Sequence, residues 1–332
     1  TYSLVLAFIP KIFYFFMKNF FRTLFSSAHE LTDSYQHVPR MTYRSGFDPI
    51  PTVSTKITSD SGWGCCYRCC QSMVANYFRV VKKYINIEDY IRNTNFPSTN
   101  SFLSFFEDRV DAPLSIQNLV KETIKLGVPP KQWAKPSNLA SAFKNIFDEN
   151  RLNCIISLNC PIAPSEVNSL PQSPILILIS LVCGFKSFDI ERFGPFLKTI
   201  LTYEESIGLV SGRNDSARYV VNLVSTKKDK NSGSQSPEND NIYDYEALYF
   251  DPHIVQPAAK SDSEHLTFFN QNLLAMNFKK INPSILLGFA CKDPQSADEL
   301  LKKLSLLPNS PILYAEHNDA ENNVLDIDDI SF

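Results

Sequence analysis

Apolar residues recur at helical spacing in the segment that follows residues 62–65, which read Gly-Trp-Gly-Cys. The apolar positions are Cys66, Cys70, Met73, Tyr77 and Val81. Steps of three and four residues place side chains on one face of a helix. Gly62 and Gly64 allow a sharp turn before it, because they lack a Cβ. The pattern therefore predicts a turn followed by a helix that begins near Cys65.

Other stretches carry strand or helix patterns. The continuously apolar run from Pro174 to Val182 predicts a central strand that is buried on both faces of a sheet. Ser115 is a candidate N-cap for a helix, and residues 211–216 have the composition of a turn. Further strands are predicted at 217–224, 245–250 and 284–289, and further helices from Ser137 or Asn138, at 193–203 and at 296–306. Helices and strands are thus mixed along one chain.

Three segments differ in composition from the folded domain expected over residues 31–315. Residues 1–30 form a hydrophobic N-terminal segment, whose apolar run is broken at Pro10, short of the ~20 residues that span a bilayer. This segment fits either a packing helix or contact with a membrane surface. Residues 227–241 are polar, which predicts a disordered surface insertion, and residues 316–332 form an acidic tail.

Composition and charge narrow the class of protein. The chain has 332 residues, of which 44% are hydrophobic, so it can bury a sizeable core. Its net charge of -3 gives no electrostatic case for a nucleic-acid partner. Four of the eight cysteines lie within residues 65–70, which is poor geometry for most disulfide pairings. We therefore expect a reducing, cytoplasmic location.

Cys65 is expected in the first turn of the predicted helix. The helix macrodipole and the free N–H groups favour a thiolate there, and Arg68 adds positive charge. A catalytic nucleophile fits this position, but two other interpretations stay open. Cys66 and Cys69 form a Cys-x-x-Cys pair suited to zinc or redox chemistry, although no second pair completes a zinc site. The cysteines would alternatively pack as small apolar side chains. We expect no metal and no cofactor.

A cysteine nucleophile needs a histidine as general base. Of the five histidines, His253 is the best candidate, because it follows a predicted strand and Asp251 lies two residues before it. Residues i and i+2 of an extended chain point to the same face, so the carboxylate can orient the imidazole. Pro252 limits the freedom of the backbone between them. A polar strand end with a surface histidine is the alternative.

These motifs resemble those of the autophagins, the autophagy-related protein 4 family of cysteine proteases. That family has Gly-Trp-Gly-Cys followed by Arg and Gln, Asp-Pro-His followed by Gln-Pro, and a Thr-Tyr-Arg run upstream. The matching positions are 42–44, 62–65, Arg68, Gln71, 132–133, 251–253, 256–257, 283–284, 288–289 and 291–292. The resemblance extends in order from about Tyr43 to Lys302.

The resemblance implies an α+β, papain-like cysteine protease fold, with a central, mostly antiparallel sheet, helices and a small inserted subdomain. It implies that Cys65 attacks the scissile carbonyl, that His253 is the base and that Asp251 orients it. Tyr43 would stabilise the oxyanion. Trp133, Trp63 and Asn214 would bind substrate. Residues 211–216 lack the proline of the family's regulatory loop, which affects the gating of the cleft rather than the chemistry.

The implied substrate is the ubiquitin-like autophagy modifier, autophagy-related protein 8. A family member trims the modifier after a glycine and later releases it from phosphatidylethanolamine, so a monomer would touch the membrane transiently through its substrate. Proteases of the Ufm-type ubiquitin-like modifier share Gly-Trp-Gly-Cys, Tyr-Arg and Asp-Pro-His, and are the first alternative. A scaffold that binds the modifier without cutting it is the second.

Overall fold

The structure is a computed structural model that describes residues 35–51, 56–97, 99, 101–213, 216–226, 241–270 and 272–316. The predictions for residues 1–30 and Asn214 fall outside these ranges, as do those for nearly all of the polar insertion and the acidic tail. Among the described residues, no helix is both long enough and apolar enough to cross a bilayer.

Strands form where apolar residues can be buried on at least one face. Their bounds are β1 (Arg44–Ser45), β2 (Asn153–Leu158), β3 (Ile175–Val182), β4 (Ser206–Arg213), β5 (Ser216–Ser225), β6 (Tyr245–Phe250), β7 (Gln256–Pro257), β8 (Leu274–Asn277) and β9 (Ser284–Cys291). In the part of the chain described, seven of them form one sheet in the order β2-β3-β9-β4-β5-β6-β8. Only the β2–β3 pair of this sheet is parallel. The expected mostly antiparallel sheet is therefore confirmed.

Helices cover both faces of the sheet. Their bounds are α1 (Cys65–Val81), α2 (Ile87–Arg92), α3 (Ile116–Lys125), α4 (Pro136–Glu149), α5 (Pro164–Asn168), α6 (Ile190–Ile200) and α7 (Pro294–Ser305). Short 3-10 turns lie at Phe102–Phe106, Ile242–Asp244, Asp262–Phe269 and Phe278–Lys280. The predicted helix at Cys65 and the N-cap at Ser115, which accepts a hydrogen bond from Asn118 N, are both observed.

Two hydrophobic cores lie on opposite faces of the sheet, and β3 contributes to both. Leu176 and Leu178 belong to the core that contains α1, whereas Ile175 and Ile177 belong to the core that contains α6 and α7. This alternation follows from the two-residue period of a strand. On the α1 face a Cβ at Gly288 of β9 would lie 2.7 Å from Met73 Sδ, so glycine permits the close approach of the helix. The cysteine-bearing helix is thus fixed against the middle of the sheet.

Two local predictions differ from the structure. Residues 211–213 extend β4 instead of forming a turn, and β4 was not predicted as a strand. This segment forms a strand because it is hydrogen-bonded to β5 on one side and to β9 on the other. Such tertiary pairing outweighs the weak strand pattern of its own sequence. Helix α4 begins at Pro136 rather than at Ser137 or Asn138, because proline fits the first helical position.

Candidate active site

A tight turn places Cys65 at the first position of α1. Gly62 has a φ of +84°, in the left-handed region that glycine tolerates. The backbone N–H groups of Trp63 and Gly64 donate to Asp60 O at 3.2 and 2.8 Å. A Cβ at Gly64 would lie 2.6 Å from the Cβ of Asp60, so this turn requires glycine there. Cys65 is fully buried at the positive end of the helix.

A buried ion cluster lies beneath this turn. Arg68 Nε is 2.6 Å from Asp60 Oδ2, and Arg68 Nη1 is 2.8 Å from Asp108 Oδ1. All three side chains have 0% exposure. The backbone N–H of Arg44 donates to Asp60 Oδ1, and Arg68 Nη1 also donates to Gln71 Oε1 at 3.1 Å. The sequence motifs include Arg68 and Gln71, but no local pattern identifies Asp60 and Asp108 as their partners.

The ion cluster reaches the segment that follows His253. Asp108 N donates to Ala259 O at 2.7 Å, and Ala259 N donates to Asp108 Oδ2 at 2.8 Å. The parallel pair of β1 and β7 provides a second link, in which Tyr43 N donates to Pro252 O and Gln256 N donates to Tyr43 O, each at 2.9 Å. Backbone contacts on both sides therefore hold the histidine segment against the cysteine turn.

Asp251 and His253 lie side by side where β6 ends. Oδ1 of Asp251 accepts hydrogen bonds from the backbone N of His253, at 3.0 Å, and from its ring Nδ1. The His253 side chain is also hydrogen-bonded to the Cys65 thiol. The bond to Asp251, followed by that to Cys65, raises the pKa of His253 to about 9. Partial burial opposes the ionisation of Asp251, but its hydrogen bonds with His253 outweigh this and lower its pKa.

Tyr43 completes this group. Its side chain is hydrogen-bonded to Cys65, and its ring meets the His253 ring edge-on, with centroids 5.4 Å apart. Burial, and after it the proximity of Cys65, raises the pKa of Tyr43. The phenol therefore keeps its proton and can donate a hydrogen bond beside the Cys65 thiol. The structure thus brings together Tyr43, Cys65, Asp251 and His253, as the motifs predicted.

The two tryptophans lie at different depths. Trp133 is partly buried, and a Cβ on Gly212 of β4 would lie 3.3 Å from its Cζ2, so its ring reaches the end of the β4–β5 hairpin. Trp63 is buried: its Nε1 donates to Ser59 O at 3.1 Å, and its ring packs edge-on against Tyr67. A contact of either residue with substrate stays a prediction.

The other cysteines of α1 are buried in the core. A hydrogen bond with Cys70, followed by burial, raises the pKa of Cys66, and burial raises that of Cys69. Neither environment favours the thiolate that metal binding requires. Within the described ranges, the acidic and histidine side chains close enough to share a cation are Glu107, Asp262 and His265, and Arg109 already pairs with Glu107 at 2.9 Å.

A cysteine at a helix N-terminus that is hydrogen-bonded to a histidine, which is in turn hydrogen-bonded to a carboxylate, is the arrangement of a papain-like cysteine protease. The sequence model of one family, described as Peptidase C54 catalytic domain, matches residues 28–303. The chain therefore belongs to the peptidase C54 family and is a cysteine protease. The resemblance to the autophagins is thereby confirmed.

Individual relatives agree with this assignment. The chain is 26% identical over 312 residues to "Cysteine protease atg4" of Emericella nidulans, an alignment that covers 82% of this chain and 72% of the relative. It is 26% identical over 310 residues to "Probable cysteine protease ATG4" of Candida glabrata, with coverage of 82% and 59%. It is 25% identical over 303 residues to "Cysteine protease ATG4A" of Oryza sativa subsp. japonica, with coverage of 80% and 59%.

Proposed function

We propose that Cys65, His253 and Asp251 form the catalytic triad of this protease. The observation that carries the proposal is the chain of hydrogen bonds from Asp251 through His253 to Cys65. Asp251 fixes the ring tautomer, because its carboxylate accepts from Nδ1 and leaves Nε2 to exchange a proton with the thiol. The raised pKa of His253 favours the imidazolium, which stabilises a neighbouring thiolate.

The thiolate of Cys65 attacks the scissile carbonyl carbon and forms a tetrahedral oxyanion. The backbone N–H of Cys65 and the hydroxyl of Tyr43 donate hydrogen bonds to that oxygen. The imidazolium of His253 then gives its proton to the departing nitrogen or oxygen, and an acyl-enzyme remains. In the second half, His253 takes a proton from water, the hydroxide attacks the thioester, and Cys65 leaves as the thiolate.

We further propose that the substrate is the ubiquitin-like autophagy modifier, autophagy-related protein 8. The enzyme would trim its precursor after a glycine and release the mature form from phosphatidylethanolamine. Membership of the peptidase C54 family and relatives named as ATG4 proteases support this substrate. Trp133, Trp63 and Asn214 would bind its C-terminal tail. The enzyme would act as a cytoplasmic monomer that meets membranes through the lipid-conjugated substrate.

The test uses the purified chain with two precursors, that of the autophagy modifier and that of the Ufm-type modifier. Intact mass identifies each cut site, and Cys65→Ala serves as the matched control. Cleavage of the first precursor after its glycine, lost in Cys65→Ala, is the expected result. Cleavage of the second precursor alone would overturn the proposed substrate, and binding of the first without cleavage would favour the scaffold.

Release from lipid needs a separate measurement. Liposomes that carry the modifier conjugated to phosphatidylethanolamine are incubated with the enzyme, and free modifier is separated by flotation. We expect the modifier to leave the liposomes in the presence of the wild-type chain and to remain with Cys65→Ala. Trimming without release would restrict the function to processing of the precursor.

A further inference from the structure

The pairing of β5 with β6 brings a second charged residue to the catalytic carboxylate. Tyr219 of β5 pairs with Phe250 of β6, so Arg218 and Asp251 are the next residues beyond that pair. Arg218 Nε lies 3.9 Å from Asp251 Oδ2. No local sequence pattern assigns a role to Arg218, because Asp251 lies far from it along the chain.

The two oxygens of Asp251 face different partners. Oδ1 accepts the backbone N and the ring Nδ1 of His253, whereas Oδ2 faces Arg218. A separation of 3.9 Å is too long for a direct hydrogen bond, so Arg218 acts on Oδ2 through its charge. The arginine therefore does not compete with His253 for the oxygen that orients the ring.

Neighbouring contacts fix the guanidinium in this place. Arg218 Nη1 donates to Ser216 Oγ at 2.9 Å, and Cζ lies 5.5 Å from the centre of the Tyr249 ring. Its Nε is buried, and no hydrogen-bond acceptor for it is found among the described residues. The side chain is 31% exposed, so solvent screens the charge only in part. The group is held beside Asp251 without a neutralising bidentate pair.

Other titratable groups surround the same site. Tyr43 and Cys69 face Cys65 from the approach to β1 and from the next turn of α1, and Asp60 acts on Tyr43 from the turn before the helix. Arg218 acts on Asp251 and also on Cys69, whose pKa it lowers against the larger effect of burial. The charge of Arg218 therefore acts as far as Cys69, in the second turn of α1.

We propose that Arg218 is a positioning residue that keeps Asp251 ionised and sets the pH range in which Cys65 and His253 form the reactive ion pair. The proposal rests on the catalytic roles proposed above. A permanent cation at this position favours the ionised carboxylate and thiolate and disfavours the imidazolium. Its loss therefore moves the titration of Asp251 and His253 in one direction, towards higher pH.

The experiment compares Arg218→Gln and Arg218→Lys with the wild-type chain. Arg192→Gln is the matched control, because Arg192 also lies over an aromatic ring but on α6, which packs into the other core. The alkylation rate of Cys65 by iodoacetamide is followed by peptide mass across pH, and the His253 ring is titrated by NMR. The NMR titration needs no access of a reagent to the buried thiol.

We expect Arg218→Gln to move both profiles to higher pH by about half a unit, or about threefold in rate on the acid limb. Arg218→Lys keeps the positive charge and should leave both profiles close to those of the wild-type chain, and Arg192→Gln should cause no shift. Concentrated salt narrows the difference between Arg218→Gln and the wild-type chain, because it screens the charge. Profiles that are unchanged in Arg218→Gln, or shifted equally in Arg218→Lys, would overturn the proposal.

These measurements need no modifier, so they separate two kinds of failure. If His253 and Cys65 titrate independently in the wild-type chain, the proposed triad is wrong. If they titrate as a pair that Arg218→Gln leaves unchanged, the triad stands and the role of Arg218 fails.

Discussion

Arginine–aspartate contacts occur at two places in the site, and they differ in their exposure to water. Arg68 contacts Asp60 and Asp108 with 0% exposure of all three side chains. Arg218 and Asp251 are 31% and 27% exposed. The same chemical groups thus lie in two different environments, a fully buried contact suited to fixing geometry and a partly exposed one that we propose regulates charge.

The physical reason is the cost of removing charges from water. A fully buried pair gains a large Coulomb energy but loses hydration of similar size, so its net contribution is small while the loss of one partner is severe. A half-exposed pair is screened and contributes little to folding. It changes instead the pKa values of neighbouring groups, and perturbed pKa values of this kind are typical of active sites.

Removing the charge of Asp251 should have the largest effect on catalysis. Asp251→Asn keeps the shape of the side chain but no longer holds the correct tautomer of His253. We expect kcat to fall about 10⁴-fold, the loss that the same change causes in a hydrolase triad. The free energy of unfolding should fall by no more than about 2 kcal/mol, because the Asp251–His253 pair is partly exposed to solvent.

Steady-state cleavage and urea unfolding measure these two quantities for Asp251→Asn. An unchanged kcat would remove Asp251 from the triad, and a large loss of stability would remove the contrast with the buried cluster.

Removing the buried cation should have the largest effect on stability. Arg68→Met leaves Asp60 and Asp108 buried without their partner, which costs about 3–5 kcal/mol of unfolding free energy. Arg92→Met is the control, because Arg92 pairs with Asp89 at 70% and 61% exposure and should cost less than about 1 kcal/mol. Urea unfolding measures both losses. Equal losses of unfolding free energy in Arg68→Met and Arg92→Met would mean that burial does not determine how much each ion pair stabilises the fold.

Tyr43→Phe tests the oxyanion donor. Loss of one such hydrogen bond lowers kcat about 10²–10³-fold in hydrolases. We expect a fall of this size with little change in KM, because the hydroxyl acts on the oxyanion and not on the bound substrate. A rise in KM at constant kcat would instead assign Tyr43 to substrate binding.

The smallest effect is a dependence of stability on pH through His253. Its folded pKa of about 9 lies above the ordinary value of 6.5, so the ionised form is stabilised by folding. This stability is complete below pH ~6.5 and is lost as pH rises through 9. After allowance for the exposure of the ring, we expect ~1–2 kcal/mol.

Urea unfolding of the wild-type and His253→Gln chains between pH 6 and 10 measures this contribution of His253 to the free energy of unfolding. The difference between them should shrink with rising pH, and a difference that is constant would contradict the raised pKa.

Local patterns predicted the parts of the fold that depend on neighbouring residues. The helix Cys65–Val81 and the strand Tyr245–Phe250 were predicted because apolar spacing and turn residues are local signals. Strand β4 was not predicted, because its pairing with β5 and β9, and not its local sequence, makes it a strand. Asp108 and Arg218 were not predicted as site residues either. Contacts with residues far away in the sequence place each of them at the site, and no local pattern encodes such contacts.

The short β1–β7 ladder has a consequence for the newly made chain. Arg44 Nη1 donates to Pro257 O across 213 residues of sequence, and the same ladder seats the histidine segment against the cysteine turn. Contacts of such separation form late, since a long loop must close before they are gained. Under the proposed triad, a ribosome-bound chain that has emerged only through the cysteine helix does not yet have its general base. On that proposal, peptidase activity is expected only after the two ends of the domain have met, so an unfinished chain would not cleave its neighbours.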